Sequence, residues 1–421
     1  MSESETTGEW KALVTDDDQP KLPVRIGAAL VIGVILWLAG YLGINAVLLP
    51  AKVVVLDAAN KTNIIAVLAT SGMIVATFAN IIFGAASDLT RSRWGRRSPW
   101  IVVGSVASAL SLVVVMKAAN VAVLVVAWCV YQFFLNAIVA PLIAVLADRV
   151  APRHRGTLTA FYAFGSAIGQ YGGQLVAAQF LDKVDLGFIV LIGATLLSGP
   201  VAAVLLREPS SLNMPRQRFT KEMVLSHFSL PMHGARDYYL ALFGKFMMQS
   251  SCYAVSGYQL YILTDYMNQD SASTSRYVSI VSMCMMVSAL VVSLIAGPIS
   301  DRIGRRKPPV IVASMLIAIG VFIPFVSNEP WTIVVYAVIA GIGVGAYNAV
   351  DQALNVEVLP DPATAAKDLG ILNLANTGGQ ILGPVIAAMV INAVGYHLIF
   401  PIAAVIAGIG AVLIGLIRSV K

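Results

Sequence analysis

Two ionisable residues sit where charge is costly. Lys245 lies in an apolar run over 237–264, and Asp351 in another over 331–356. Ionisable groups inside such runs are functional candidates by default. Burial raises a carboxyl pKa and a nearby cation lowers it, so an acid that alternates between those surroundings can take up and release a proton. Asp351 has that chemistry, among Tyr347, Asn348 and Gln352. The other reading is a gate contact, in which Asp351 and Glu357 pair with arginines of a nearby loop. Lys245 stands eight residues past Asp237, about 12 Å along a helix. It can bind an anionic or hydroxylated solute or pair with an acid; the alternative is a stem that snorkels to the membrane face.

A second pattern is a charged loop that occurs twice. The first copy reads Gly84-Ala-Ala-Ser-Asp88-Leu-Thr-Arg91-Ser-Arg93-Trp94-Gly95-Arg96-Arg97, and the second Gly297-Pro-Ile-Ser-Asp301-Arg302-Ile-Gly304-Arg305-Arg306. The expected chemistry is a latch. Gly84 and Gly297 permit close helix approach. Asp88 and Asp301 accept from a neighbouring helix end or from the arginine forks, and Gly95 and Gly304 make the turn. Arg93, Arg96, Arg97, Arg305 and Arg306 supply the cations.

A third set is neutral: Asn45, Tyr131, Gln132, Asn136, Gln170, Gln174, Gln249, Tyr253, Asn348, Asn373, Asn376 and Gln380, all inside apolar runs. Amides and rings suit hydroxylated solutes. Each one alone is as readily an interhelical hydrogen bond; the set as a whole favours a polar cavity.

The elements that must position these residues follow from composition. Hydrophobic residues make up 58% and charged ones 12% of 421 residues, with mean hydropathy +0.81. Soluble domains carry about 25% charge. A net charge of +6 on so few charged groups leaves no basic face for nucleic acid. The apolar runs far exceed the roughly 9–11 residues of a barrel strand, so the spans are helices. Twelve are expected: 26–49, 63–86, 99–117, 121–146, 156–180, 187–206, 237–264, 277–299, 309–327, 331–356, 368–392 and 396–418. The fold class is therefore an all-α membrane protein.

The expected organisation is a tail over 1–24, a six-helix lobe over 25–206, a linker over 207–236 and a second six-helix lobe over 237–421. The tail, with Glu3, Glu5, Glu9 and Asp16–Asp18, does not read as a cleavable signal. With the N-terminus inside, 22 of the 28 Lys and Arg fall in cytoplasmic segments and five in outer loops. That asymmetry puts both termini in the cytoplasm. The halves repeat: Gly95-Arg96-Arg97 recurs as Gly304-Arg305-Arg306, Val150-Ala151-Pro152 as Val358-Leu359-Pro360, and Gly172-Gly173-Gln174 as Gly378-Gly379-Gln380. Six spans per half make these parallel repeats, the arrangement of a two-lobed carrier. The glycines at 165, 169, 172 and 173, and those at 379 and 383, read as packing seams. Cys129, Cys252 and Cys284 have no metal-ligand spacing, and no nucleophile–base pair or phosphate loop is visible.

The paired loops, the six-plus-six layout and the polar linker resemble the major facilitator superfamily over residues 25–418. The longer first loop, S-D-L-T-R-S-R-W-G-R-R-S-P-W, resembles that of sucrose-type and glycoside–cation symporters. The resemblance implies two six-helix lobes around a central cavity, alternating access, and symport of a sugar or glycoside with a proton or sodium. It implies a monomer in the cytoplasmic membrane, with a small-molecule substrate, no cofactor, no enzymatic reaction and no nucleic acid. Efflux of amphipathic compounds is the runner-up. Gln170 stands where family exporters have a proline, which argues against drug–proton antiport. A transport-dead receptor is a third reading.

Overall fold

The computed structural model describes residues 14–214, 235–303, 306–359 and 365–418, without side chains at 297–301, 303, 352–353, 356 and 365–367. The described residues are almost wholly helical. Twelve long helices follow in chain order. The first six are α1 (Val24–Asp57), α2 (Lys61–Leu89), α3 (Ser98–Lys117), α4 (Val121–Arg149), α5 (Pro152–Ala178) and α6 (Val184–Leu206). Then come α7 (Arg236–Ser256), α8 (Ser271–Ile303), α9 (Lys307–Val326), α10 (Trp331–Glu357), α11 (Ala365–Val394) and α12 (Ile399–Gly415). Among the described residues, ten helices are long and apolar enough to cross a membrane. The two that fall short are α5 and α7. They carry Arg153, His154, Arg155, Gln170 and Gln174, and Arg236, Asp237, Lys245 and Gln249, and these polar side chains lower their hydropathy.

Two expected spans differ in a telling way. The first runs eight residues beyond 49, to Asp57, through a π-helical turn at Ile44–Leu48 just before Pro50. The wider turn lets the chain pass a proline that cannot donate to the preceding turn. The seventh stops at Ser256, then reaches Tyr266 through one turn at Gln259–Tyr261 and a second π turn at Ile262–Tyr266. The first helix of each half is thus irregular toward its C-terminal end. At the start of α8, Asp270 accepts from the Ser273 backbone N–H at 2.9 Å, and these bonds hold its carboxyl below the ordinary carboxylate range.

The chain forms two compact units. One draws on Met1–Ile44, Ile74–Gly173 and Asp185–Thr220; the other on Asn45–Met73, Gln174–Val184 and Lys221–Lys421. In the first, α1 and α5 cross on glycine: a Cβ at Gly173 would collide with the Ala39 carbonyl, and one at Gly169 would stand 3.0 Å from the Ile35 backbone. In the second, α7 and α11 cross likewise: a Cβ at Gly379 would collide with the Gln249 side chain, and one at Gly383 would stand 2.6 Å from the Ser250 carbonyl. The repeated Gly-Gly-Gln motif is therefore a helix seam in both units. Large apolar side chains such as Phe78, Leu110, Val126 and Val204, or Leu294, Met389 and Val405, are exposed, as a lipid-facing surface requires.

Candidate functional site

The first charged loop folds into a closed cluster inside the first unit. Gly95 has a φ of 84° and turns the chain from the end of α2 into α3. Arg97, 3% exposed, donates to Asp88, to the Ser87 hydroxyl and, from Nε, to Asp148 Oδ2 at 2.8 Å. Arg96 reaches Asp148 Oδ1 at 2.7 Å. The α3 N-terminus lacks a cap from its own preceding residue. Glu208 supplies one from the start of the linker, accepting from the backbone N–H of Arg97 and of Ser98, both at 2.9 Å. An acid there also suits the positive end of the helix dipole. A Cβ at Gly95 would strike this carboxylate, so the glycine serves both turn and cap. Arg207, with a φ of 41°, closes α6 and aims Glu208 at the loop.

Sequence reasoning missed Asp148 and Glu208. Both lie far from the loop in the chain, and no local pattern marks them. Two expectations need correction. Arg93 is exposed and stands outside the cluster. A Cβ at Gly84 would meet nothing within 4 Å, so that glycine marks no close helix approach here; its backbone carbonyl instead accepts from the Ser87 hydroxyl at 2.9 Å.

Of the second loop, Gly297, Asp301, Gly304 and Arg305 lie outside the residues and side chains described. Arg306 Nε stands 3.5 Å from Glu357 Oε1, and Lys307 donates to the Ile417 carbonyl at 2.7 Å. Among the described residues, Glu357 thus takes a loop arginine while Asp351 pairs with Lys245.

Asp351 is held one helix away. Its Oδ2 accepts from Lys245 Nζ at 2.7 Å and from Asn355 Nδ2 at 2.9 Å. Lys245 is 3% exposed and Asp351 4%. Lys245 lies nine residues into α7, about 14 Å along its axis. That depth and burial overturn the snorkelling reading. Tyr347, Asp351 and Asn355 recur every four residues and share one face of α10. The Tyr347 hydroxyl hydrogen-bonds the Asp351 carboxylate, and among the described residues Asn355 Oδ1 is buried without a hydrogen-bond partner. Sequence reasoning looked to Asn348 and Gln352 as neighbours and overlooked Asn355, which helical period places on the Asp351 face.

Four residues after Lys245, on the same face of α7, Gln249 begins a chain of amides. Its Nε2 donates to Asn376 Oδ1 at 2.7 Å, and Asn376 Nδ2 donates to Asn373 Oδ1 at 2.6 Å. The missing side chain at Gly379 brings α7 close enough to α11 for this contact. Asn373 is exposed, so the chain runs from the half-buried Gln249 to an open surface.

In the first unit, Tyr131 and Gln132 of α4 are buried, and Gln132 shares a hydrogen bond with the Tyr41 hydroxyl. Asn136 accepts from Asn80 at 3.1 Å and donates to the Gln132 carbonyl at 2.9 Å, an interhelical tie. Asn45 sits half-buried in the π turn of α1. Gln170, Gln174, Tyr253 and Gln380 are half-buried, and Asn348 is exposed.

The second unit also holds a polar cluster that sequence reasoning did not single out. Lys61 Nζ lies 2.6 Å from Asp265 Oδ2 and 4.8 Å above the Tyr261 ring. Tyr396 donates to the same carboxylate at 2.8 Å. Nearby, Thr62 donates to Asn392 at 2.8 Å and Tyr258 to the Thr62 carbonyl at 2.8 Å. The irregular turns after α7 present Tyr258, Tyr261 and Asp265 to this cluster.

The profile of the Major Facilitator Superfamily matches residues 22–256 and again 241–421. The chain belongs to the Major Facilitator Superfamily. Members of this superfamily are multi-pass membrane transporters of small molecules, and as a class they are not enzymes. The chain is 30% identical over 128 residues to the bacillibactin exporter of Bacillus subtilis (strain 168), covering 29% of this chain and 32% of that protein. It is 29% identical over 128 residues to the probable inositol transporter 3 of Arabidopsis thaliana, covering 30% and 21%. It thus spans about a third and a fifth of these two relatives. A bacterial homolog of the human lysosomal transporter Spinster, solved inward-facing and unoccupied, superposes with a TM-score of 0.71. That match covers 95% of this chain and 97% of the other at 15% identity, a likeness of fold. The narrower likeness of the first loop to sucrose-type symporters finds no counterpart among these relatives. Among the described residues of this superfamily member, no group of three His, Cys, Asp or Glu can hold a metal ion.

Proposed function

We propose that the protein is a cation-coupled secondary transporter of a small polar solute, working by alternating access in the cytoplasmic membrane. In this reading both termini are cytoplasmic, the chain acts as a monomer, and the domains divide at 25–206, 207–236 and 237–421. The carrying observation is the buried Lys245–Asp351 pair at 2.7 Å. An ion pair taken out of water costs several kcal/mol per ion before its attraction repays it. Its retention in a span asks for a function. Protonation of Asp351 neutralises the acid and releases Lys245 and Asn355, while deprotonation draws them back. That switch alters the hydrogen bonding of α7 and α10 and ties proton uptake to helix movement. The proton is preferred over sodium, because a lone carboxylate already satisfied by an ammonium offers a metal ion too few ligands.

The solute is a sugar, glycoside or related polyol. The amide chain Gln249–Asn376–Asn373 supports hydroxyl recognition, and the likeness to an inositol transporter agrees with it. The inner cluster around Arg97 and the outer cluster around Lys61 and Asp265 act as gates that form and break in turn. Efflux of amphipathic compounds is the second reading, favoured by the likeness to an exporter. Purified protein in liposomes separates these. Labelled glucose, sucrose and myo-inositol are offered with an imposed proton gradient, a sodium gradient or neither. Accumulation driven by protons alone is the expected result. Expulsion of a hydrophobic amine without any sugar uptake would replace this reading with the second.

A further inference from the structure

The first unit carries a groove on its lipid-facing side that the coupling account does not use. It lies between α3 and α4 and has a volume of about 520 Å³. Ser111 and Ala127 are buried and form its floor, while Leu110, Val114, Val126 and Val130 stand exposed as its walls. Small side chains between larger ones make the depression. The Ser111 hydroxyl donates to the Ala107 carbonyl at 2.7 Å, so the floor asks for no polar partner. On α4 the lining runs from Ala122 to Val130, eight residues along the chain and about 12 Å along the axis. Half of a bilayer's hydrocarbon core is about 15 Å thick. The groove thus has the length of one acyl chain reaching from the headgroup region toward the midplane. Its headgroup end carries a cation. Leu110, Val114 and Lys117 follow at spacings of four and three and share one face of α3. Lys117 is exposed in the last turn of α3 and is the only charged residue in 98–147. The acid at the far end of α4, Asp148, is already held by Arg96 and Arg97. Neither helix therefore brings an acid to Lys117.

We infer that this groove is a binding site for an anionic diacyl phospholipid of the phosphatidylglycerol kind. One acyl chain lies in the groove, and the phosphate pairs with the Lys117 ammonium, in the leaflet at the end of α3 remote from the Gly95 loop. Lipid tails are as apolar as the groove walls, so the chain is held by shape and dispersion. Selectivity comes from the headgroup. An ammonium at the membrane surface attracts an anionic headgroup, whereas a choline headgroup brings a cation of its own that competes for the phosphate. The site requires only that α3 and α4 span a bilayer, and it stands whether or not the protein couples solute to protons.

The test is photo-crosslinking on the full-length protein in phosphatidylcholine nanodiscs. Phosphatidylglycerol or phosphatidylcholine bearing a diazirine on one acyl chain is included at the same low mole fraction, and labelled peptides are read by mass spectrometry. The phosphatidylglycerol probe should label 107–131 about fivefold more than the phosphatidylcholine probe. Lys117→Gln should remove that preference. Val126→Trp enlarges an exposed side chain and fills the groove. It should cut labelling of this stretch at least about fivefold, with labelling around Val204 on α6 and thermal unfolding little changed. Equal labelling by the two probes in the wild type overturns the inference. So does a preference that survives Lys117→Gln, or labelling of 107–131 that Val126→Trp leaves untouched. A second copy of the chain seated on the groove, seen as particles of doubled protein mass with 107–131 unlabelled, overturns it as well.

Discussion

The two units share a scaffold and differ in their interiors. Both cross their first and fifth helices on the Gly-Gly-Gln motif, at Gly173 and at Gly379. The interior of the first is neutral, with the Trp37, Tyr41, Trp128 and Tyr131 rings and the Gln132 and Asn136 amides. The interior of the second holds a buried ion pair, Lys245 with Asp351, continued by amides. The glycine seam sets how near the helices come, while the residues one or two turns away decide what the opening can do. Under the proposed function, the charged interior is the one that senses the proton.

The largest effect should come from breaking the ion pair. Lys245→Ala leaves Asp351 buried without its cation, a loss of about 3–5 kcal/mol unless the acid takes up a proton. Thermal unfolding should show that loss shrinking as pH falls, because protonation removes the stranded charge. Lys245→Ala with Asp351→Ala together should recover most of the stability, since neither charge is left alone. No substitution at Gln132 should show such pH dependence; if one does, the comparison fails.

Next come the two charged loops. Arg97→Ala removes bonds to Asp88, Ser87 and Asp148 from a buried position and should cost about 3–5 kcal/mol. Arg306→Ala removes a half-exposed pair with Glu357 and should cost under about 1 kcal/mol. Equal costs would mean that the two loops are interchangeable.

The seams should respond alike. Gly173→Ala and Gly379→Ala each force a methyl into a neighbouring helix, costing about 1–3 kcal/mol. The smallest change is Gly84→Ala, where a Cβ meets nothing. It should be neutral or stabilising by up to about 1 kcal/mol.

Much of the fold was legible in the sequence because membrane spanning leaves few options. Apolar runs of span length must be helices, and Lys and Arg placement biases their direction. The turn at Gly95 and the presence of Lys245 and Asp351 inside apolar helices were legible because each breaks a local rule. Their pairing was not, since 106 residues separate them and only tertiary packing brings them together. Asp148 and Glu208 escaped notice for the same reason. The packing of Trp128 on Tyr41 escaped because a tryptophan is ordinary in an apolar helix, and only the fold brings the two rings together. The extension of α1 past Pro50 was hidden because a proline normally ends a helix, and a π turn absorbs it here.

The central claim is that Asp351 links proton movement to solute movement. Its most direct test is Asp351→Asn in liposomes, which keeps the shape of the side chain and fixes it neutral. Labelled myo-inositol is followed in two experiments on one preparation: accumulation driven by an imposed proton gradient, and exchange against unlabelled myo-inositol without a gradient. The account predicts that the variant loses accumulation and keeps exchange near the wild-type rate. Accumulation at the wild-type level would contradict it, and equal loss of both processes would make Asp351 a structural or gate contact.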